Sequence, residues 1–260
     1  FDARLEHDHA IEIAQIARKL GRPVQLTWSR RDEIIRGRPR APASVLIGAQ
    51  LSKTGDGAID ALRVRIATPP AAKEFGKRLF GNRTSMAAIR ETEGSPDPLA
   101  CEGGVPPYQL PGLLVEHGPT TFAIESFLDE IAAQFEREPL SFRMAMLGKD
   151  VRLAACLQRA AQLAGWDGGV NQSGQGLACA RIGEGPEAAR IACVATARQS
   201  EGGVRVTRLS VAADIGRIIN HDIARQQIEG GLVFGIGTAL GNPIKLRAGV
   251  PEVSDYAGLG

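Results

Sequence analysis

The chain has 260 residues, enough for one large domain or two ordinary ones. Its 43% hydrophobic share, 23% charged share and net charge of +2 are typical of a globular protein and give no excess of positive charge that would indicate nucleic-acid binding. The longest apolar run, Gly230 to Gly241, is shorter than the roughly 18–20 residues that cross a bilayer, so no membrane span is predicted.

The first predicted element is a helix over residues 5–20, in which apolar side chains recur every three or four positions until Gly21. A short strand is predicted at Val24–Trp28. Ser29 and Asp32 have the spacing of a capping pair at the start of the polar turn that follows.

Two strands are predicted next, at residues 44–51 and 58–67. Thr54–Gly57 contains an Asp-Gly pair, which favours a tight hairpin turn because such turns need positive φ angles. Residues 69–107 contain many prolines and are predicted to form a long loop, with a short strand at 113–115.

Three helices are predicted in the middle of the chain, at residues 121–136, 140–147 and 151–164. Their apolar residues keep the 3.6-residue period. Thr120 and Thr121 are the candidate N-caps of the first of them.

Strands are predicted again at residues 176–181, 190–198 and 203–213, and a helix over 223–240 with Asn220 or Asp222 as its N-cap. Runs of strands and runs of helices in this order predict an α+β fold, with mixed or antiparallel sheets packed against helices.

The last predicted helix has an unusual composition between Gln227 and Gly237, where four glycines stand within eight residues. Each glycine inside a helix costs about 1 kcal/mol relative to alanine. Such a segment is expected where the backbone approaches a ligand or another helix closely. The amide of Gln227 can both donate and accept hydrogen bonds, which suits a ligand, but a glycine-dependent helix crossing explains the pattern equally well.

Other candidate sites are weaker. His7 and His9 lie two residues apart in the first helix, so their side chains point in different directions and do not bind one metal ion. Residues 235–241 lack the preceding strand and the spacing of a dinucleotide-binding fingerprint. No Gly-x-Ser-x-Gly motif supports a hydrolase. The cysteines (Cys101, Cys156, Cys179 and Cys193) lack metal-ligand spacing and are predicted to be mostly buried.

Four groups of motifs together resemble the large, molybdenum-cofactor subunit of the xanthine dehydrogenase/aldehyde oxidase family, and most of all its isoquinoline 1-oxidoreductase branch. The motifs are Arg4–Asp8 with Gly21–Val24 and Trp28–Arg30; Glu125–Glu130 with Pro139–Arg143; Arg152–Leu157 with Gly165–Trp166; and Asp214–Gly216 with Asn220 and Gln227–Gly231. They span nearly the whole chain in the family's order.

The resemblance implies two lobes, residues 1–120 and 121–260, the second carrying a cofactor-binding helix. It implies an oxidoreductase that places a water-derived oxygen on an aldehyde or an N-heterocycle, using a molybdopterin-type cofactor in the plain or the cytosine dinucleotide form. Iron–sulfur clusters are expected on a small partner subunit. Gln227 matches the glutamine that hydrogen-bonds the molybdenum centre, and Gly230 and Gly231 match glycines beside the pterin. Phe1 matches a phenylalanine whose backbone lies over the metal, and no residue is a direct metal ligand.

The chain also departs from the family pattern. Asp2 and Ile215 replace smaller residues, and about twenty residues of an active-site loop are missing between Gly118 and Thr121. The catalytic glutamate of the family falls beyond Gly260, so no catalytic residue is assigned and this chain alone is not expected to turn over. The alternative is a non-catalytic cofactor-binding or subunit-interaction remnant. Localisation, bacterial periplasm or cytoplasm, is not predicted.

Overall fold

The computed structural model of the protein describes residues 7–36, 43–67, 99–100, 117–147, 150–169, 173–183, 187–241, 245–248 and 250–252. Within these ranges the helices are α1 (Asp8–Leu20), α2 (Arg30–Arg36), α3 (His117–Gln134), α4 (Pro139–Leu147), α5 (Val151–Ala164) and α6 (His221–Leu240). The strands are β1 (Ser44–Leu51), β2 (Ile59–Ala67), β3 (Leu99–Ala100), β4 (Gln175–Ile182), β5 (Ala189–Ser200), β6 (Gly203–Asp214), β7 (Leu246–Arg247) and β8 (Val250–Pro251).

The described strands form three sheets, ordered β1-β2-β3, β4-β5-β6 and β7-β8, and every pairing is antiparallel. The predicted α+β class is confirmed. The hairpin between β1 and β2 turns as predicted, with Gly55 and Gly57 at φ angles of 75° and 78°. Glycine adopts such angles without steric cost, which explains the Asp-Gly signal in the sequence.

The described residues fall into two compact units. One contains α1, α2, α6 from Gln227 onward, and the β7-β8 pair; the other contains β1 to β6, α3 to α5, and the start of α6 up to Gln226. These units cut across the sequence-predicted boundary at residue 120, because β1 and β2 share a core with the helices that follow that boundary. The two predicted lobes, 1–120 and 121–260, stay a prediction.

The core of the larger unit lies where α3, α4 and α5 meet the faces of the two three-stranded sheets. α3 contacts both β1 and β4, and α5 packs along β4, β5 and β6. Leu128, Leu153, Leu157 and Val194 are completely buried there. Alternate residues of β5 point into this core, as expected for a strand with one face against helices.

A fully buried arginine stands inside this core. Arg143 of α4 donates from Nε to Glu125 Oε2 at 2.9 Å and from Nη1 to Asp129 Oδ1 at 2.6 Å, both on α3. Glu125 Oε2 also accepts the backbone N–H of Cys179 in β4 at 3.0 Å. The pair therefore joins α3, α4 and the second sheet, and explains why the motifs around Glu125 and Arg143 occur together in the sequence.

Two predicted features are wrong. Residues 24–28 form no strand, because no described strand pairs with them; Trp28 is instead held by its indole N–H, which donates to Glu12 Oε2 at 3.1 Å. Neither Thr120 nor Thr121 caps α3, because the helix begins earlier, at His117. Pro119 is tolerated there because first-turn amides have no partner in the helix.

Most other predicted elements are confirmed with shifts of a few residues. Ser29 and Asp32 form the expected reciprocal cap, with Asp32 N–H donating to Ser29 Oγ at 3.2 Å and Ser29 N–H to Asp32 Oδ2 at 3.1 Å. The predicted loop at 69–107 lies outside the described residues except for β3, and the predicted strand at 113–115 lies outside them entirely.

We predict that Arg143→Met destabilises the chain by about 3–5 kcal/mol, because it leaves the Glu125 carboxylate buried without its counter-ion. Urea unfolding measures the change. Arg30→Met is the control: its partner Glu33 is 2.7 Å away but both side chains are exposed, so a loss of at most about 1 kcal/mol is expected. Equal losses in the two variants would contradict the structural role of Arg143.

Candidate functional site

Helix α6 carries three of the four predicted cofactor contacts and begins at a side-chain cap. Asn220 Oδ1 accepts the N–H of Ile223 at 3.0 Å, and the Asn220 carbonyl accepts the N–H of Ala224 at 3.1 Å. Asn220 is therefore the N-cap, and Asp222 lies inside the first turn, where the helix dipole favours an acidic side chain.

The partly buried residues of α6 form a single stripe. They recur every four positions, at Ala224, Ile228, Leu232 and Ile236, and no residue of the helix is fully buried. Gln227, Gly230 and Gly231 are exposed. With 3.6 residues per turn, these three lie on average roughly 130° around the helix from the stripe. The predicted contacts therefore share one outward face of α6.

The glycines of this face have no neighbour in the described part of their own unit. A Cβ atom built on Gly230 or Gly231 would meet nothing within 4 Å. A helix crossing within the described part of their own unit therefore does not explain them. The bare backbone beside the Gln227 amide leaves room for a flat group to approach, which fits a pterin-type ligand.

The fourth predicted contact, Phe1, lies outside the described residues. Two apolar side chains further along α6 are exposed to solvent: Val233 is 70% exposed and Phe234 is 61% exposed. Phe234 falls within about 20° of Gln227 around the helix axis and lies about two turns further along, so it belongs to the same outward face.

The chain enters α6 through a short turn that follows β6. Asp214, the last residue of β6, accepts two hydrogen bonds from the Arg152 guanidinium, Nε to Oδ2 at 2.7 Å and Nη2 to Oδ1 at 2.6 Å. Its Oδ1 also accepts the N–H of Gly216 at 3.2 Å. Gly216 has a φ angle of 73°, which favours glycine. The same carboxylate thus binds α5 and closes the turn.

Sequence reasoning named Arg152 and Asp214 only as parts of separate motifs. The structure joins them, although they are 62 positions apart. Nothing local in the sequence signals this pairing, because an arginine in the first turn of one helix and an aspartate at a strand end are each common. The hydrogen bond from Arg152 lowers the pKa of Asp214 to about 2.

The described residues offer no separate metal centre. They contain no group of three or more histidine, cysteine, aspartate or glutamate side chains placed to hold a metal ion. His9 packs edge-on against Trp28, with ring centroids 5.9 Å apart. Burial raises the pKa of Cys193 to about 11, and Cys156 and Cys179 are buried.

Among the residues that the structure describes, no helix combines the length and apolar character needed to cross a membrane.

The segment that contains α6 matches a known protein family model. Residues 159–255 match the family model described as "Molybdopterin cofactor-binding domain". This segment runs from within α5 to beyond β8 and includes Gln227, Gly230 and Gly231.

Three relatives are similar to the chain. The beta subunit of isoquinoline 1-oxidoreductase from Brevundimonas diminuta is 28% identical, over 98% of this chain and 34% of its own length. Membrane-bound aldehyde dehydrogenase [pyrroloquinoline-quinone] of Gluconacetobacter polyoxogenes is 25% identical, over 96% and 36%. A nicotinate dehydrogenase subunit from Pseudomonas putida is 28% identical, over 54% and 13%.

The resemblance inferred from the sequence motifs is confirmed by these matches. The chain spans about a third of the length of the first two relatives. The second relative's name specifies another cofactor, pyrroloquinoline quinone. The molybdopterin assignment therefore depends on the family model over residues 159–255.

We predict that Asp214→Asn lowers stability at neutral pH and that this loss fades in acid. The folded-state pKa lies below the ordinary value of 3.8, so the ionised carboxylate contributes stability above about pH 4. That contribution is lost as the pH falls toward 2. The difference between the urea midpoints of the two proteins should therefore narrow as the pH is lowered from 6 to 3.

The control for this experiment is Asp60→Asn, which changes an exposed carboxylate on β2. Its midpoint should follow that of the unmodified chain at every pH. A difference for Asp214→Asn that stays constant between pH 6 and pH 3 would contradict the ion pair as the source of its stability.

Proposed function

We propose that this chain, related to molybdopterin cofactor-binding domains and to oxidoreductase subunits, is the cofactor-holding part of a molybdenum hydroxylase. The proposed reaction places a water-derived oxygen on an aldehyde or an N-heterocyclic substrate. The names of the relatives support these two substrate classes. Because the chain spans only about a third of the first two relatives, the activity is proposed for an assembly that contains further residues.

One observation carries the proposal: the glycine-rich face of α6 has no neighbour in the described part of its own unit. Gly230 and Gly231 each cost the helix about 1 kcal/mol relative to alanine, and neither relieves a contact within 4 Å. Because this loss of helix stability is not offset by closer packing within the unit, we infer that a bound group requires the absence of side chains at these two positions. The family match over the same residues supports a pterin as that group.

The proposed roles follow from the positions of the residues. The exposed amide of Gln227 donates to one ligand atom and accepts from another, which orients the group. Gly230 and Gly231, about one turn further, let the ligand lie against the helix. The bound molybdenum supplies the oxygen-transfer and redox chemistry. Phe1 is a further proposed contact, and no residue of this chain is proposed as the catalytic base.

The finer features are part of the same proposal. A small iron–sulfur subunit is proposed as the electron acceptor, supported by relatives whose names designate them as subunits. The cytosine dinucleotide form of the cofactor is tested by acid hydrolysis of purified protein. Release of cytidine monophosphate in proportion to molybdenum would support that form, and molybdenum without the nucleotide would exclude it.

A second candidate is a non-catalytic role in cofactor binding or subunit interaction. The apolar side chains exposed on α6, Val233, Phe234 and Leu240, favour an interaction surface. Elemental analysis of chain produced in a host that makes molybdopterin separates the possibilities. Stoichiometric molybdenum supports cofactor binding, whereas an oligomer without molybdenum supports the interaction role alone.

We predict that Gly231→Ala stabilises the cofactor-free chain by about 1 kcal/mol, because alanine is the better helix former and its Cβ meets nothing within 4 Å in the described part of its unit. The same variant should retain less molybdenum, because the methyl group occupies the ligand's face. Thermal unfolding and elemental analysis measure the two effects.

Gly237→Ala is the matched control for the glycine experiment. It also has open space at its Cβ, but lies about 9 Å further along the helix axis than Gly231. It should raise stability and leave molybdenum retention unchanged. If Gly231→Ala retained as much molybdenum as the unmodified chain, the assignment of this face to the cofactor would fail.

We further predict that Gln227→Ala reduces molybdenum occupancy while changing stability by at most about 0.5 kcal/mol, because Gln227 is exposed and both residues are good helix formers. Gln226→Ala is the control, since Gln226 is also exposed but lies about 100° around the helix. Equal occupancies in the two variants would contradict the role proposed for Gln227.

A further inference from the structure

Residues 215–220 connect β6 to α6 without belonging to a strand or a helix. They are exposed, Ile219 to 94%, so little packing fixes their course. Side chains hold both ends of the connection. At its start the Asp214 carboxylate accepts the Gly216 N–H, and at its end Asn220 caps the helix. The direction in which the chain leaves β6 therefore depends on how firmly the Asp214 carboxylate is oriented.

Arg152 orients that carboxylate from a rigid position. It stands in the first turn of α5, next to the fully buried Leu153. Its planar guanidinium binds both oxygens of Asp214, which fixes the rotation of the carboxylate as well as its position. Because Oδ1 is shared between Arg152 and the Gly216 amide, the guanidinium also sets where that amide is held.

The N-terminus of α5 is itself braced. Asp150 Oδ1 accepts the N–H of Leu153 at 3.1 Å and the Nε–H of Arg190 at 3.2 Å, so β5 supports the cap of α5. Asp150 and Glu187 also lie near enough to Arg152 to raise its pKa, after the larger effect of the Asp214 hydrogen bond. Hydrogen bonds thus join β5 to Asp150 and Asp150 to the first turn of α5, and Arg152 in that same turn binds Asp214.

We propose that Arg152 is a positioning residue for the cofactor-binding helix, acting through the Asp214 carboxylate to fix the turn from which α6 begins. The inference rests on the proposed function, because it takes α6 as the helix that holds the cofactor. Lysine does not replace Arg152 in this role, since an ammonium group is a point charge that cannot bind both carboxylate oxygens in one plane.

The first test uses the full chain without cofactor and follows amide hydrogen exchange. In Arg152→Lys, the Gly216 amide and the amides of the first turn of α6 should exchange on the order of tenfold faster, because the turn opens locally. Amides of residues 203–210 in β6 should exchange as in the unmodified chain, which shows that the core is intact. Asp214→Asn should give the same pattern and serves as an independent second variant.

Arg208→Lys is the matched control. Arg208 also joins β6 to α5, donating from Nη2 to the Leu163 carbonyl at 2.7 Å, but it binds the C-terminal end of α5. This variant should leave the Gly216 amide and the first turn of α6 unchanged. If Arg152→Lys and Arg208→Lys gave the same exchange pattern, or if neither accelerated the Gly216 amide, the positioning role would be overturned.

The second test measures molybdenum retained after gel filtration by chain made in a host that supplies molybdopterin. Arg152→Lys should lose molybdenum several times faster than Arg208→Lys. Molybdenum absent from the unmodified chain would overturn the proposed function, and with it the link between the turn and the cofactor. Molybdenum retained equally by the unmodified chain and Arg152→Lys would overturn this inference alone.

Discussion

The larger unit depends on one fully buried charge. Arg143 has no contact with water, so each of its donors must be satisfied by protein if the fold is to tolerate the cation. Its partners are Glu125, Asp129 and the carbonyl oxygens of Pro139 and Glu125. Because Glu125 also binds the backbone of β4, satisfying this single guanidinium fixes two helices and a strand relative to one another.

A second, more exposed ion pair continues this organisation toward the candidate site. Arg152 and Asp214 join α5 to the end of β6, where the chain turns toward α6. The two pairs differ in what they control. The buried pair holds the core together, and the partly exposed pair orients the turn that leads into α6. Each pair connects two sequence motifs that are far apart in the chain. The motifs around Glu125 and Arg143 meet in the first pair, and those around Arg152 and Asp214 meet in the second.

Much of the fold was predictable because its signals are local. The β1–β2 turn follows from Asp56-Gly57, the end of α5 from Gly165 with its φ angle of 65°, and the start of α6 from Asn220. The strand predicted at 24–28 failed because a strand requires a partner, which five residues of sequence cannot reveal. The ion pairs were not predicted for the same reason, since contacts between residues 18 and 62 positions apart leave no local pattern.

The candidate site was likewise predicted only in part from local sequence signals. Composition alone marked Gln227–Gly237 as unusual, but it left a ligand and a helix crossing equally possible. The open space at Gly230 and Gly231 decides against a crossing within the described part of their own unit. The most direct test of cofactor binding by α6 is the pair of measurements on Gly231→Ala, stability without cofactor and molybdenum retention. We expect a more stable chain that holds less molybdenum, and a variant that holds molybdenum as well as the unmodified chain would contradict the assignment.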